Sequence, residues 1–569
     1  MADNYTGCTV VYDESEIFYG CGVRLKGSEH GRADAGRQSY NISFPSEHKF
    51  RGVHDSVLLD RSGGWRFGRT SGQDEILVKH IISHAGGTSS LYDDIVRVIS
   101  PQSGHTGPAL LQMARYGGDY LDSMYQNGSD GQLYKVEIAY HTTATDNGLP
   151  TGNKLAQESS ISNLDLGDRG AGQENYRWFY RHENNVVNDD FTPIMAVTRA
   201  FAKSGAAFDA EIDPLIDNDE WMRAMAFESL CGISDIFSRD NGHNANFFQR
   251  PKDGKMLMLP WDWDFSFVQA TSAPLWGGRQ ISKLIQRPHN LRRFYCHLQD
   301  IMSTTFNTAH MAYWTNHYDN FTPGQDYSGI LTWIGQRASY VQSQIPASAV
   351  WAVTAAPVNE AIVADGSVTF AGTAPFNHKT VRIESAGCEP VEAVFSTLNN
   401  WSVTVPVILG RNVLQLRVYD PRGVLIPAVS QDFVVIGTSA GTFTDADLDG
   451  LPDAWECATG LDAVTGASAS ADSDGDGQTD YQEYLAGTHP LNAASAPGVS
   501  FQSVTGNNIT LSFMAAAGRT YRIQSSPDLS GETWTTLQTL SPLTSDQLVQ
   551  PVVVAPPGTG KLFLRVLAP

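Results

Sequence analysis

The sequence predicts a multidomain chain in which an α+β unit is followed by all-β sandwich modules and an acidic loop segment. Three observations lead there. Strand-like and helical patterns mix over residues 1–350, short alternating strands replace them from about residue 355, and carboxylates recur at fixed spacing within residues 438–497. At 569 residues the chain also exceeds what one hydrophobic core supports, so several domains are expected.

Composition narrows the class. Hydrophobic residues make up 41% and aromatic residues 10%, while 52 Gly and 27 Pro are spread along the chain, as turn-rich β structure requires. No run approaches the length of a membrane span, so no membrane-spanning segment is expected. The net charge of −22 has the wrong sign for a nucleic-acid partner. Twelve acidic residues and no Lys or Arg lie between Asp432 and Glu483, which places about half of the excess in one short segment. The six cysteines (Cys8, Cys21, Cys231, Cys296, Cys388 and Cys457) lack C-x-x-C spacing and are too sparse for a disulfide scaffold, although Cys8 and Cys21 can pair across a hairpin. The opening MADNYTGCTVVYD has no basic and apolar leader, so no secretory signal lies in this chain, and its N-terminus reads as a fragment boundary.

In residues 1–350 the segments VRLKG, RQSYNISFP and DSVLLD read as strands separated by turns. EILVKHIISHAGG and DEWMRAMAFESLC repeat apolar residues at three- and four-residue steps, which predicts helices. Residues 231–267 read as a polar loop, a strand NFFQ, a hairpin at KDGK and a strand MLMLP ending in Asp-x-Asp. IGQRASYVQSQI, residues 334–345, predicts the closing helix, and Pro346 begins a linker. Over residues 355–437, SVTFAGTA, TVRIESAG, WSVTVPV, NVLQLRVYD and SQDFVVIG alternate strand-fashion between turn signals, the pattern of an immunoglobulin-like sandwich. Residues 438–497 hold the acidic repeat, and residues 498–569 return to strands (NITLSFMA, TYRIQSS, WTTLQTL, QLVQPVVVA, KLFLRVLA) that predict a second sandwich.

Within the acidic repeat, DADLDGLPDAWE and DSDGDGQTDYQE both match the twelve-residue calcium-loop pattern, at an offset of 27 residues. In the first, Asp445, Asp447 and Asp449 take positions 1, 3 and 5, Leu451 offers its carbonyl at 7, Asp453 stands at 9 and Glu456 at 12. Asp472, Asp474, Asp476, Gln478, Asp480 and Glu483 repeat those roles in the second, with Gly450 and Gly477 at the sharp turns. Calcium takes six to eight hard oxygens, and this spacing wraps the chain around one ion; without a cation the carboxylates repel one another. Structural Ca2+ is therefore expected in both loops. The flanks PDAWECATGLD and TDYQEYLAGTHPLN resemble the thrombospondin type-3-like repeats of secreted bacterial proteins, which implies a calcium-braced extracellular linker.

CGISDIFSRDNGHNANFFQRPKDGKMLMLPWDWDFSF, with IDNDEWMRAMAFESL before it and VRLKGSEHGRADAGRQSYNISFP near the start, resembles the spore-coat CotH family of atypical kinases, in order over roughly residues 15–345. The resemblance implies a divergent protein-kinase-like fold and Mg2+-dependent transfer of phosphate from ATP to a protein hydroxyl. It places Asp262 and Asp264 on the metal motif and either Asn244 or Asn246 as the further magnesium ligand. The catalytic carboxylate falls on Asp235, with Asp240 as the second candidate, and Arg24, Lys26 and Arg37 fall on the phosphate-facing strands. Lys135, in GQLYKVE, matches a recurrent G-x-L-Y-K motif. One departure is that the paired-lysine motif reads Arg37-Gln38-Ser39-Tyr40, and Arg is no isostere of Lys. The glutamate that usually precedes G-x-L-Y-K has no counterpart in ALLQMARYGGDYLDS beyond Gln112 and two aspartates. Trp261 and Trp263 read as packing residues and His243 as a loop hydrogen-bonding residue. No G-x-S-x-G, H-E-x-x-H or Walker loop supports a hydrolase or P-loop reading.

The two resemblances together imply a secreted or cell-surface protein acting on a protein substrate. The competing class is a non-catalytic surface or adhesion protein that keeps the kinase-like fold as a scaffold and binds a cell-surface partner. A carbohydrate-binding surface protein is a third reading, resting on the β-modules and aromatic content alone.

Overall fold

The computed structural model describes residues 5–26, 39–61, 74–91, 93–113, 115–136, 139–140, 160–161, 166–177, 179–234, 236–239, 244–263, 265–322, 325–385, 388–438, 445–465, 468–529, 533–557 and 560–568. It is a mixed α/β chain that divides into two compact units, residues 1–347 and 348–569.

The first unit begins with strands β1 (Thr6–Tyr12), β2 (Glu16–Lys26), β3 (Ser39–Ser43) and β4 (Ser56–Asp60). Helix α1 (Glu75–Ala85) follows, then β5 (Asp93–Val98) and β6 (Gly107–Gln112). These strands form one antiparallel sheet in the order β1-β2-β3-β4-β6-β5. Cys8 and Cys21 face each other across β1 and β2, and both are free thiols. Register brings Lys26 opposite Ser39, Tyr40 opposite Leu59, and Asp93 opposite Gln112. Polar residues thereby collect at one end of the sheet, while Phe18, Ile42, Phe44, Phe50, Val57 and Leu111 form its apolar core.

A second sheet is built from β7 (Leu133–Val136), β8 (Tyr180–His182), β9 (Ala245–Gln249) and β10 (Met256–Pro260), in the order β8-β7-β9-β10. The turn between β9 and β10 needs positive φ, supplied by Gly254 at 69°. Helix α2 (Asn218–Leu230) starts at Asp217, whose carboxylate accepts from the Glu220 N–H at 3.2 Å. Trp221 anchors it to the sheet by donating to the Met256 carbonyl at 2.9 Å and stacking on Phe247. Arg223 of α2 donates to the Ala85 and Gly86 carbonyls at 2.8 and 2.6 Å, so it caps the C-terminus of α1. It also pairs with Asp300 of helix α3 (Pro288–Thr304) at 2.9 Å. Helices α4 (Thr308–Phe321) and α5 (Ser328–Gln344) complete the unit. The closing helix starts at Ser328, six residues before the expected 334, because Asp326 accepts from the Ser328 N–H at 2.8 Å and fixes an earlier first turn.

In the second unit, strands Ala352–Ala355, Ser367–Thr373, Asn400–Pro406 and Val394–Phe395 form one sheet. Strands Ala361–Val363, Gln431–Gly437, Gly410–Tyr419, Thr380–Glu384 and Val391–Glu392 form another, and one pair in it is parallel. Their facing sides bury Phe370, Trp401, Val403, Leu414, Leu416, Val418 and Phe433 together. The acidic segment adds helices α6 (Asp453–Thr459) and α7 (Asp480–Ala486), and Leu451, Trp455 and Tyr484 pack between them against Ile408 and Leu409. The terminal strands from Ser500 to Leu567 form two further antiparallel sheets.

Candidate functional site

Lys26 ends β2, and its ammonium is held by the Asp60 carboxylate at the end of β4 and by Gln112 Oε1 at 3.3 Å. Ser39 Oγ donates to the other Asp60 oxygen at 3.2 Å. Helix α1 brings two more charges, Glu75 and Lys79, one turn apart and both buried. Lys79 Nζ lies 2.7 Å from Asp93 and 3.8 Å from Glu75, and 4.7 Å from the centre of the Trp263 ring. Charged groups inside a largely apolar helix face are tolerated only when each finds a countercharge.

Asp262 joins this cluster from the end of β10. Burial by itself would lower the Lys26 pKa, but Asp60 and then Asp262 outweigh it and hold the ammonium above its ordinary value. Burial pushes the Glu75 carboxyl up to about 7; Lys79 opposes that shift, and the negative charges of Asp60 and Asp262 add to it. Burial likewise disfavours charged Lys79, but Asp93 and Glu75 more than compensate. Four carboxylates, Asp60, Glu75, Asp93 and Asp262, thus surround two ammonium groups, drawn from β2, β4, α1, β5 and the segment after β10. Asp262 and Asn244 both hold left-handed backbone, at φ 61° and 59°. Such conformations in non-glycine residues cost free energy and collect at functional sites.

The strand residues follow from register. Asn246 sits opposite Lys135 on β7 and Leu259 on β10, so it lies mid-sheet and buried. The Lys135 ammonium lies 6.0 Å from the Trp261 ring centre, and the Trp261 N–H donates to the Asn244 carbonyl at 3.2 Å. Trp263 is buried and meets Phe227 of α2 edge-on at 5.6 Å, which fixes the backbone beside Asp262. Arg24 lies one pleat back from Lys26 on β2, with its guanidinium 5.0 Å from the Tyr5 ring centre. Asp235, Asp240, Asp264, Arg37 and His243 lie outside the described residues. Sequence reasoning missed Asp60, Glu75, Lys79 and Asp93. The signal for two of them was present: a Glu and a Lys four apart inside EILVKHII are out of place on an apolar helix unless they face charge.

The acidic loops form two further sites. Asp445, Asp447 and Asp449 bring one carboxylate oxygen each to within 4.8 Å of one another, and Asp472, Asp474 and Asp476 do the same. Asp445 accepts from the Asp449 and Gly450 N–H groups at 3.1 and 3.0 Å, and Asp472 from Asp476 and Gly477 at 3.1 and 2.9 Å. Gly450 and Gly477 each take φ 92°, the turn that position 6 requires. The N–H groups of Leu451 and Gln478 donate to Asp449 and Asp476, both at 2.7 Å. Asp453 and Asp480 turn back onto the loops, accepting from the Ala446 and Ser473 N–H groups at 2.9 and 3.1 Å. Glu456 and Glu483 are fully buried. In the second loop Asp474 Oδ2, Asp476 Oδ2 and both Glu483 oxygens are buried without a well-formed hydrogen bond. Burial raises the Glu483 carboxyl to about 7; Thr488 opposes the shift, and Asp474, Asp476 and Asp480 add to it. Converging carboxylate oxygens that lack donors fit a hard cation of the calcium type.

Comparison with known proteins gives a family match for part of the chain. The family described as "CotH kinase protein" matches residues 110–324, a span that includes Lys135, Asn244, Asn246 and Asp262 but neither Lys26 nor Glu75. This supports the family resemblance over that region. No curated protein matches the chain. Among solved structures, a "Cytokine receptor complex - Crystal form 2" shares 12% identity over 38% of this chain and 88% of its own, at a TM-score of 0.11. A "Biofilm associated protein - BSP domain" shares 10% identity over 93% of this chain and 71% of its own, at a TM-score of 0.11. The "Secreted serine protease VesC from Vibrio cholerae" shares 9% identity over 100% of this chain and 98% of its own, at 0.12. Likenesses that weak assign neither fold nor function.

Proposed function

We propose that the N-terminal unit is a CotH-like kinase domain that transfers phosphate from ATP to a protein hydroxyl, and that the chain works secreted or at the cell surface. The observation that carries this reading is the mutual electrostatic influence of Lys26, Glu75 and Asp262, drawn from a sheet, a helix and a strand end. Phosphoryl transfer needs such a set: a lysine on the phosphates, a helix glutamate that orients it, and a carboxylate that holds magnesium. Lys26 would bind phosphate oxygens, and Glu75 would keep its ammonium aimed. Asp262, with Asp264 and either Asn244 or Asn246, would hold Mg2+, which when bound neutralises charge on the transferring group. Asp235 or Asp240 would accept the hydroxyl proton, and Arg24, Arg37 and Lys135 would supply further positive charge.

In the C-terminal unit, Ca2+ in the two acidic loops would neutralise the converging carboxylates and stiffen a segment of thrombospondin type-3-like character between an immunoglobulin-like sandwich and the last β-module. A second reading, a non-catalytic calcium-braced adhesion protein, draws on the engagement of Lys26 by Asp60 and Gln112 and on Arg37-Gln38 in place of the paired lysines. Calorimetric titration with ATP and Mg2+ separates the two. Binding heat with the wild-type chain that is lost in Asp262→Ala/Asp264→Ala supports the kinase reading; no heat with wild type sinks it in favour of the scaffold.

A further inference from the structure

Away from that charge cluster, the C-terminal half of α1 meets α4 in a group of histidines. His80 and His84 stand one turn apart on α1 with their rings stacked at 3.9 Å. His310 and His317 lie two turns apart on α4 with Trp314 between them. His80 Nε2 is 3.0 Å from His310 Nε2, and the His84 and His310 ring centres are 6.2 Å apart.

One further ring nitrogen has a partner that fixes its tautomer. His84 Nδ1 lies 2.9 Å from the His80 carbonyl, so it carries the proton and leaves the Nε2 lone pair free. The Tyr318 hydroxyl stands 3.5 Å from His80 Nδ1, and the Trp314 ring covers His80 with centres 4.2 Å apart. Burial, then the neighbouring His84, His310 and His317, lower the His80 pKa to about 3, and burial with His84 lowers that of His310. Both imidazoles are therefore neutral at physiological pH, the form that ligates metal.

We propose that His80 and His310 form a divalent transition-metal site, with Zn2+, Ni2+ or Cu2+ bound through the two Nε2 atoms and the proton shared in their 3.0 Å contact moved to the Nδ1 of the ring that carries it. Two nitrogens on a tetrahedral ion at the usual bond length of about 2.05 Å are separated by about 3.3 Å, close to the spacing already present. Water fills the remaining positions, or His84 does after its ring turns. Imidazole pairs select zinc, nickel or copper, whereas calcium and magnesium take oxygen, so this site is chemically distinct from the acidic loops and from Asp262. An ion there would pin α1, which carries Glu75 and Lys79, to α4.

The test is titration of the untagged full chain with Ni2+ in calcium-saturated buffer, with Cu2+ electron paramagnetic resonance as the second readout. One ion per chain is expected, with affinity at least tenfold weaker in His310→Gln and unchanged in His289→Gln. The Cu2+ spectrum should show coupling to at least two nitrogens in wild type. Equal titrations for wild type and His310→Gln, or a wild-type copper spectrum without nitrogen coupling, would overturn the site and leave a hydrogen bond between two neutral imidazoles. The copper spectrum is read on wild type, so it decides the matter even if a variant misfolds.

Discussion

Asp262 and Lys26 are 236 positions apart in the chain, yet the Asp262 carboxylate helps to hold the Lys26 ammonium charged. Because Lys26 is also tied to Asp60, the two contacts have separable consequences. Lys26→Ala should abolish ATP binding heat, while Glu75→Gln should weaken it less, since Glu75 acts by positioning the ammonium. Equal heats for wild type and Lys26→Ala would remove Lys26 from the phosphate site. Glu228, buried on α2, gives a pH prediction. Burial raises its carboxyl to about 8 against an ordinary 4.5, opposed by the Ser238 hydroxyl at 2.5 Å and by Arg239. A raised carboxyl pKa means that the folded state holds the proton longer. Its stabilisation is then complete below about pH 4.5 and lost as pH rises through about 8. Glu228→Gln should flatten the fall in melting temperature across that window, where wild type loses up to about 1.4 kcal/mol per pH unit. Parallel melting curves for the two proteins would refute it.

At the scale of elements, the acidic loops and their exit helices act as units. Helix α7 has a full capping box, Thr479 with Gln482, and a left-handed Gly487 at its end, so it is stopped at both ends by local chemistry. Its Glu483 carboxylate is buried and feels the charges of Asp474, Asp476 and Asp480, so a cation in the loop would be coupled to the helix. EDTA should therefore lower the melting temperature of the C-terminal unit and open residues 438–497 to proteases, and Glu483→Ala should reproduce that loss in the presence of Ca2+. Unchanged melting and unchanged cleavage would count against calcium in the loops. The N-terminal cap of α2 is a smaller effect: Asp217→Ala removes the bond to the Glu220 N–H and a 2.9 Å pair with Arg250. It should cost about 1–2 kcal/mol in denaturant unfolding, the usual worth of a helix cap.

For the whole molecule, the division at residues 347 and 348 separates the charge cluster and the histidines from the acidic loops. Residues 348–569 produced alone should melt with a calcium-dependent midpoint, and residues 1–347 alone without one; a calcium shift in the latter would contradict the assignment. Inside the second unit the modules are tied together. Arg519 of the terminal β-module donates to the Tyr484 carbonyl at 2.7 Å, and the Tyr521 hydroxyl to that of Ala486 at 3.1 Å. Ile408 and Leu409, from the first sandwich, pack against Trp455 and Tyr484. The loops are thus embedded between β-modules, and loosening them should be felt on both sides.

What the sequence determined by itself is what depends on near neighbours. The convergence of three carboxylates in each acidic loop is encoded within twelve residues, because alternate aspartates and one glycine at positive φ suffice to curl the backbone. The strands of residues 367–437 follow from alternation, and α1 and α2 from apolar steps of three and four. The extent of α5 was only partly legible, since Asp326, an exposed turn residue outside the apolar pattern, decides where it begins. The charge cluster was legible for Lys26 and Asp262 only through family resemblance; Glu75 and Lys79 left a trace as a charged pair inside the apolar EILVKHII, and Asp60 and Asp93 left none. Only the tertiary structure decided those, and the pairing of His80 with His310. Which charges and imidazoles meet depends on strand register and on how helices cross a sheet, and no spacing along the chain encodes a contact between residues that far apart.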